Sequence, residues 1–179
     1  SFDPEIVYNF GEQILQALYY LNKKGFFHGC LSPQYIYLQD DGTIKLGSYI
    51  IEAFINTPHV LNGTSYLPLD WLAPNQIENG ITSFLSDIFC FGILIYYLLT
   101  GEYPFSETET VAGRLKALKN PPKNFQFLNP AIPPFFSEFI TKILSPNEKP
   151  YLSLSELLKD WLQKQVSIRK TISPVEKPQ

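Results

Sequence analysis

The run from Ile88 to Leu99 constrains this chain most: it is apolar on every side and is closed by Gly101. A helix that is hydrophobic all round has to be buried in a core or in a membrane. Crossing a bilayer takes about 20 apolar residues, and this run is too short. It is therefore expected to be the central buried helix of a globular core, entered at Ser86-Asp87. A length of 179 residues suffices for one domain with an ordinary core.

The remaining elements are expected around that helix. Asp3-Pro4 has the form of an N-cap followed by Pro at the first helical position. Val7, Phe10, Ile14, Leu18 and Leu21 recur at intervals of three or four, so one amphipathic helix is predicted over about residues 4–23, ended by Gly25. Ile36 and Leu38, the turn Asp40-Asp41-Gly42, and Thr43, Ile44 and Leu46 read as a β-hairpin. Residues 49–82, punctuated by Pro58, Gly63, Pro68 and Pro74, show no helix, and irregular segments of that length are usually functional or disordered. Helices are predicted over Glu107–Lys119, Phe135–Leu144 and Ser153–Lys164. Prolines make residues 120–134 a rigid connector rather than regular structure. The polar residues 165–179 read as a frayed tail or linker, so the domain is expected to be 1–164.

Composition narrows the function classes. A net charge of -3 offers no bulk attraction to nucleic acid or an anionic membrane. Two cysteines, Cys30 and Cys90, are too few for a disulfide framework and fit a reducing, cytoplasmic setting. No signal peptide is read at Ser1-Phe2-Asp3-Pro4. Met is absent, which suggests a piece of a longer protein.

Six segments then resemble, in order, the C-terminal lobe of eukaryotic protein kinases. His28-Gly29-Cys30-Leu31-Ser32-Pro33-Gln34-Tyr35-Ile36 resembles the catalytic loop H-R-D-L-K-P-x-N-I. Ile44 to Ile50 stands where V-K-I-A-D-F-G would, and Trp71-Leu72-Ala73-Pro74-Asn75 where the segment ending A-P-E would. Ser86 to Gly92 is similar to S-D-V-W-S-F-G, Leu98 to Phe105 to the end of the same helix, and Ser145 to Pro150 to D-P-x-x-R-P. The resemblance implies a mainly α fold with a small β-hairpin, the kinase C-lobe, and an N-lobe absent from this chain. His28, Ala73, Pro74, Asp87 and Gly92 match the family's architectural positions.

The departures fall on chemistry. A kinase uses a carboxylate base, an Asn and an Asp for magnesium, and in serine/threonine kinases a loop lysine. The resemblance places Cys30, Tyr35, Ser48 and Ser32 at those positions. Mg²⁺ prefers charged oxygen ligands, and losing a general base costs roughly 10²–10⁴-fold. The phosphate-gripping arginine position holds Gly29, and the ion pair of A-P-E with its arginine becomes Asn75 and Lys149. The expectation is therefore a pseudokinase: no enzyme, no catalytic, cofactor-binding or metal residues, no ATP or Mg²⁺ held by this lobe, and a scaffold role in a larger protein. The alternative is an atypical kinase or ATP-binding transferase using other residues, with Asp40, Asp41 and Glu52 the nearby carboxylates. A narrower similarity, in Leu31-Ser32-Pro33 and Arg114-Leu115-Lys116, is to the pseudokinase domain of TBC-domain-containing kinase-like proteins.

Other features have plainer readings. Cys30 near His28 is read as a small apolar filler rather than a thiol nucleophile. Two His and two Cys lack zinc-ligand spacing. Trp71, Tyr96, Tyr97 and Phe105 are read as core, and Gly63-Thr64 as a turn. The cleft face around Tyr35, Tyr37 and Tyr49 is expected to be covered by the parent's own N-lobe or another protein. No nucleic-acid partner and no membrane span are expected.

Overall fold

The computed structural model describes residues 1–47, 60–61, 64–65, 68–106, 108–124, 130, 132–146, 148–149 and 151–164. The expectations for Ser48, Tyr49, Glu52, Gly63 and the tail 165–179 lie outside the described residues. The described elements in chain order are α1 (Pro4–Lys23), β1 (Ile36–Leu38), β2 (Ile44–Leu46), β3 (Val60–Leu61), β4 (Thr64–Ser65), α2 (Pro74–Asn79), α3 (Phe84–Thr100), α4 (Val111–Ala117), α5 (Pro134–Leu144) and α6 (Leu154–Gln163). The fold is mostly helical, with two small antiparallel two-stranded sheets.

Helix α1 starts as its sequence implies. The Asp3 carboxylate accepts the Glu5 N–H at 2.8 Å, and Pro4 opens the first turn. Its apolar face buries Val7, Ile14, Leu15 and Leu18. Helix α3 is buried over nearly its whole length, from Ser86 to Tyr96, because hardly any of its faces is polar. The Ser83 hydroxyl accepts the Leu85 N–H, and the Ser83 N–H donates to the Ser86 hydroxyl. At the other end Gly101 takes a left-handed conformation (φ 78°) and donates to the Tyr97 carbonyl at 2.8 Å. Helices α1, α5 and α6 pack around α3.

An aromatic cluster seals this bundle. Trp161 is fully buried, stacks on Tyr8 at 5.2 Å, and meets Phe139 at 4.9 Å and Phe91 at 5.3 Å edge-on. The Tyr8 hydroxyl donates to the Trp161 carbonyl at 3.0 Å, and the Trp161 indole N–H donates to the Tyr8 carbonyl at 3.3 Å. Large aromatic rings bury well when their polar tips find partners, and here each residue's backbone carbonyl supplies the other's.

The β1–β2 hairpin has the register Ile36↔Leu46, Tyr37↔Lys45 and Leu38↔Ile44. Its turn is closed by Gly42 N–H to the Gln39 carbonyl and by the Asp41 carboxylate accepting the Thr43 N–H, both at 2.9 Å. Gln13 of α1 fastens it from outside: its Oε1 accepts the Ile44 N–H at 2.9 Å and its Nε2 donates to the Gly42 carbonyl at 3.1 Å.

Three elements differ from the sequence reading. Helix α2 lies in the segment read as helix-free. Pro74 opens it, Gln76 caps it by accepting the Ala73 N–H, and left-handed Gly80 ends it. Helix α4 is shorter than the predicted 107–119, because Thr110 caps it by accepting the Gly113 N–H. Helix α3 begins at Phe84, ahead of the predicted entrance at Ser86.

Candidate functional site

The resembling loop is held from two sides at one residue. Gly29 has φ 79°, a conformation that side chains other than glycine's rarely accept. The Asp87 carboxylate, entering from α3, accepts the Gly29 N–H at 2.8 Å and the His28 N–H at 2.9 Å. The Gln76 amide, entering from α2, donates to the Gly29 carbonyl at 2.6 Å and to the Thr82 hydroxyl at 3.4 Å. Both side chains are buried. The same Gln76 caps its own helix, so α2, α3 and the loop share one polar network. Sequence reasoning placed Asp87 and His28 here and missed Gln76, since a lone Gln in a short helix carries no periodic signal.

Electrostatics follow from burial. Burial pushes Asp87 up to about 6, against the two N–H donors that favour its charged form. Burial lowers His28 to about 4, partly opposed by a hydrogen bond to the Gly47 backbone. The imidazole is thus neutral at pH 7. The Cys30 sulfur lies 4.0 Å from His28 Nδ1 and 3.9 Å from the His28 carbonyl, and is buried. A thiol is activated by nearby positive charge, and a neutral imidazole supplies none. The Ser32 hydroxyl is buried, with no hydrogen-bond partner among the described residues. Tyr35 is half-buried, its ring 6.3 Å from that of His28. The cavity bordered by Cys30, Ser32, Tyr35 and Leu72 holds about 10 Å³, room for about one water molecule. Ser48 is not among the described residues. No group of three or more His, Cys, Asp or Glu residues able to hold a metal ion occurs among the described residues.

The segment Trp71-Leu72-Ala73 is buried, and the Cys90 thiol donates to the Trp71 carbonyl at 2.9 Å. Gly92 lets α5 approach α3: a Cβ there would lie 2.6 Å from Ile143 Cγ2. Asn75 donates to the Ile81 carbonyl at 2.7 Å and the Ser86 hydroxyl at 2.8 Å, a neutral network, while Lys149 is exposed. Arg114 is buried beneath this region. It donates to the Asp70 carbonyl at 2.8 Å and lies over the Phe105 ring at 5.2 Å. Trp71, Tyr96 and Phe105 are core, as read from the sequence, but Tyr97 is only half-buried and lines a surface groove.

A helical core of this form, with the loop, its aspartate anchor and the Ala-Pro helix start in sequence order, defines a kinase-type fold. The protein kinase domain model matches residues 1–172, and the chain belongs to that family. It is 34% identical over 121 residues to human "Tyrosine-protein kinase STYK1", covering 64% of this chain and 29% of that protein. It is 30% identical over 166 residues to the "Aurora kinase" of Schizosaccharomyces pombe, covering 91% of this chain and 45% of that protein. It is 28% identical over 150 residues to the "Probable serine/threonine-protein kinase PknB" of Lactococcus lactis, covering 83% of this chain and 24% of that protein. The chain thus spans less than half the length of these relatives.

These similarities overturn one expectation. The reading that the chain is no enzyme rested on Cys30, Ser32, Tyr35 and Ser48 standing where the usual groups stand. The family and the relatives' names, serine/threonine and tyrosine kinases, point to an enzyme. Substitutions at those positions exclude particular side chains, not the activity of a whole protein of which this chain spans a part. No helix among the described residues is long and apolar enough to cross a membrane.

Proposed function

We propose that this chain is the C-terminal, substrate-side lobe of a protein kinase domain in a larger protein, and that it acts there as a regulatory protein-recognition surface. The carrying observation is the hairpin: Tyr37 and Leu38 are 56% and 57% exposed on a strand otherwise anchored to the core. Successive side chains of a strand point to opposite faces, so each face of the hairpin presents one large apolar group to solvent, and such exposed groups are commonly covered by another chain. The parent's N-lobe or a separate protein is the occupant. In this reading the residues of this lobe do not by themselves hold ATP or Mg²⁺. The narrower tie to TBC-domain-containing kinase-like proteins stays part of the proposal, resting on Leu31-Ser32-Pro33 and Arg114-Leu115-Lys116.

The test is Tyr37→Asp with Leu38→Asp in the full-length parent. Surface substitutions that touch nothing change stability by about 0.5 kcal/mol or less. A covered face predicts a clear drop in melting temperature or loss of the bound protein, and no change in either overturns the reading.

A second reading is favoured by the relatives' names: phosphoryl transfer by non-standard groups. Thermal-shift titration of the parent with ATP, with and without Mg²⁺ or Mn²⁺, reads it directly, since a ligand bound to the folded state raises the melting temperature. A metal-dependent rise supports it and directs attention to Glu52. No rise at millimolar ATP removes it.

A further inference from the structure

We propose that the C-terminal end of α1, with the adjoining face of α6, docks this lobe peripherally on an anionic lipid surface. The proposal goes beyond the reading of the hairpin face and uses none of its residues. A net charge of -3 gives the chain no bulk attraction to such a surface, so the attraction has to be local.

The patch begins with how α1 stops. Gly25 takes φ 82°, its N–H donates to the Asn22 carbonyl at 3.0 Å, and the Phe26 N–H reaches back to the Leu21 carbonyl at 3.0 Å. This pair of bonds is a Schellman helix end, and it holds Phe26 beside the last turn. Phe26 nevertheless stays 47% exposed, and Tyr20 62%. Lys23 lies over the Tyr19 ring at 5.4 Å, and Lys24 over the Tyr20 ring at 5.7 Å. Tyr19 also walls a groove of about 420 Å³ with Ser155, Leu158, Lys159 and Leu162 of α6. Exposed aromatic and aliphatic groups are thus interspersed with Lys23, Lys24 and Lys159.

Three observations select the occupant. The first is charge. The ion pairs among the described residues join Arg114 to Asp70, Lys123 to Glu102 and Lys142 to Asp160, and none uses Lys23, Lys24 or Lys159. The nearby acids are engaged elsewhere: Glu12 accepts from the Gln16 amide, Glu156 accepts the Leu152 N–H, and Asp160 accepts from the Tyr151 hydroxyl. The second is the rings. Tyrosine has an apolar body and a polar tip and settles at the headgroup level, while Phe26 and Leu162 supply apolar surface for the acyl boundary. The third is the kind of cation. A lysine is a point charge on a flexible stem, without the fork that matches one carboxylate. Three of them beside exposed rings suit a plane of mobile phosphate headgroups better than an acidic protein, the competing occupant. Charge alone anchors a segment with roughly four to eight basic residues, so three lysines need the apolar groups, and the docking is reversible.

The test is co-sedimentation of the full-length parent with phosphatidylcholine vesicles, with and without phosphatidylserine, at low and high salt. The expected result is binding only where phosphatidylserine is present, weakened by salt because exposed charges are screened. Lys23→Gln with Lys24→Gln and Lys159→Gln should weaken it tenfold or more, and Tyr20→Ser with Phe26→Ser severalfold. All five side chains are exposed, so both variants should melt with the parent. Should the Phe26 substitution disturb folding, Tyr20→Ser alone is the second variant. No binding to phosphatidylserine vesicles, equal binding to phosphatidylcholine alone, or binding indifferent to these variants would overturn the proposal. Saturable binding of polyglutamate without vesicle binding overturns it too, and assigns the face to an acidic protein. None of these results alters the reading of Tyr37 and Leu38, which has its own test.

Discussion

The Gly29 carbonyl accepts its hydrogen bond from Gln76 at 2.6 Å, across 47 residues of sequence and entirely out of water. Asp87 takes the N–H of the same residue. One residue of the loop, Gly29, is therefore clamped by two helices through both of its backbone polar groups, and the loop's shape depends on both.

Replacing Gln76 by Leu would strand the Gly29 carbonyl and the Ala73 N–H in the core. A buried unsatisfied group costs roughly 1–3 kcal/mol, so Gln76→Leu should lower unfolding stability by about 2–4 kcal/mol in denaturant melts. Gln76→Glu, which keeps the shape but turns the donor into an acceptor facing a carbonyl, should do at least as much harm. A loss under about 0.5 kcal/mol for both would mean that the clamp is not a stabilising feature.

Gly92 marks the closest approach of α3 and α5. A Cβ would sit 2.6 Å from Ile143 and 2.9 Å from Leu144. Overpacking a core costs about 1–3 kcal/mol, more than the roughly 1 kcal/mol of helix propensity that alanine adds. Gly92→Ala should therefore destabilise, and it should cost less in an Ile143→Ala background, where the clashing Cγ2 is gone, as a double-mutant cycle in denaturant measures.

The His28–Asp87 pair sets a pH dependence with opposing signs. His28, held down to about 4 from 6.5, contributes stability that is present above pH 6.5 and lost as pH falls through 4. Asp87, pushed up to about 6 from 3.8, contributes stability that is present below pH 3.8 and lost as pH rises through 6. Between pH 4 and 6 the two nearly cancel. Asp87→Asn should unmask the histidine, so that the variant loses stability on acidification by up to about 3 kcal/mol more than the parent. Parallel pH profiles for the two proteins would contradict this.

Asn75 and Lys149, which the kinase resemblance sets at the two ends of an ion pair, allow that pairing to be tested. Asn75→Glu puts a carboxylate against the Ile81 carbonyl where an amide now donates at 2.7 Å. The single variant should lose about 1–3 kcal/mol. Lys149→Arg added to it should restore part of that, because the guanidinium makes the paired hydrogen bonds that a lysine does not. Chemical denaturation of the single and double variants measures both steps.

What the sequence determined by itself was whatever repeats or punctuates. The all-apolar run had to become the buried helix α3, and its neighbours had to surround it. Asp3-Pro4 and the three-to-four spacing specified α1 over the observed Pro4–Lys23. Asp40-Asp41-Gly42 specified the hairpin. The order of short motifs specified the family. What only the tertiary structure decided was pairing between distant single residues. Gln76 on Gly29, Gln13 on the hairpin and Arg114 beneath Asp70 leave no period to read. Tyr97 read as core because half of it is, and only the turn of α3 beside Trp71 and Tyr103 shows which half faces the groove. Helix α2 escaped notice because six residues are too few to show a pattern, and its cap is its own Gln76. Local periodicity is written along the chain. A buried polar partner is chosen by where two helices meet, which the chain settles only when folded.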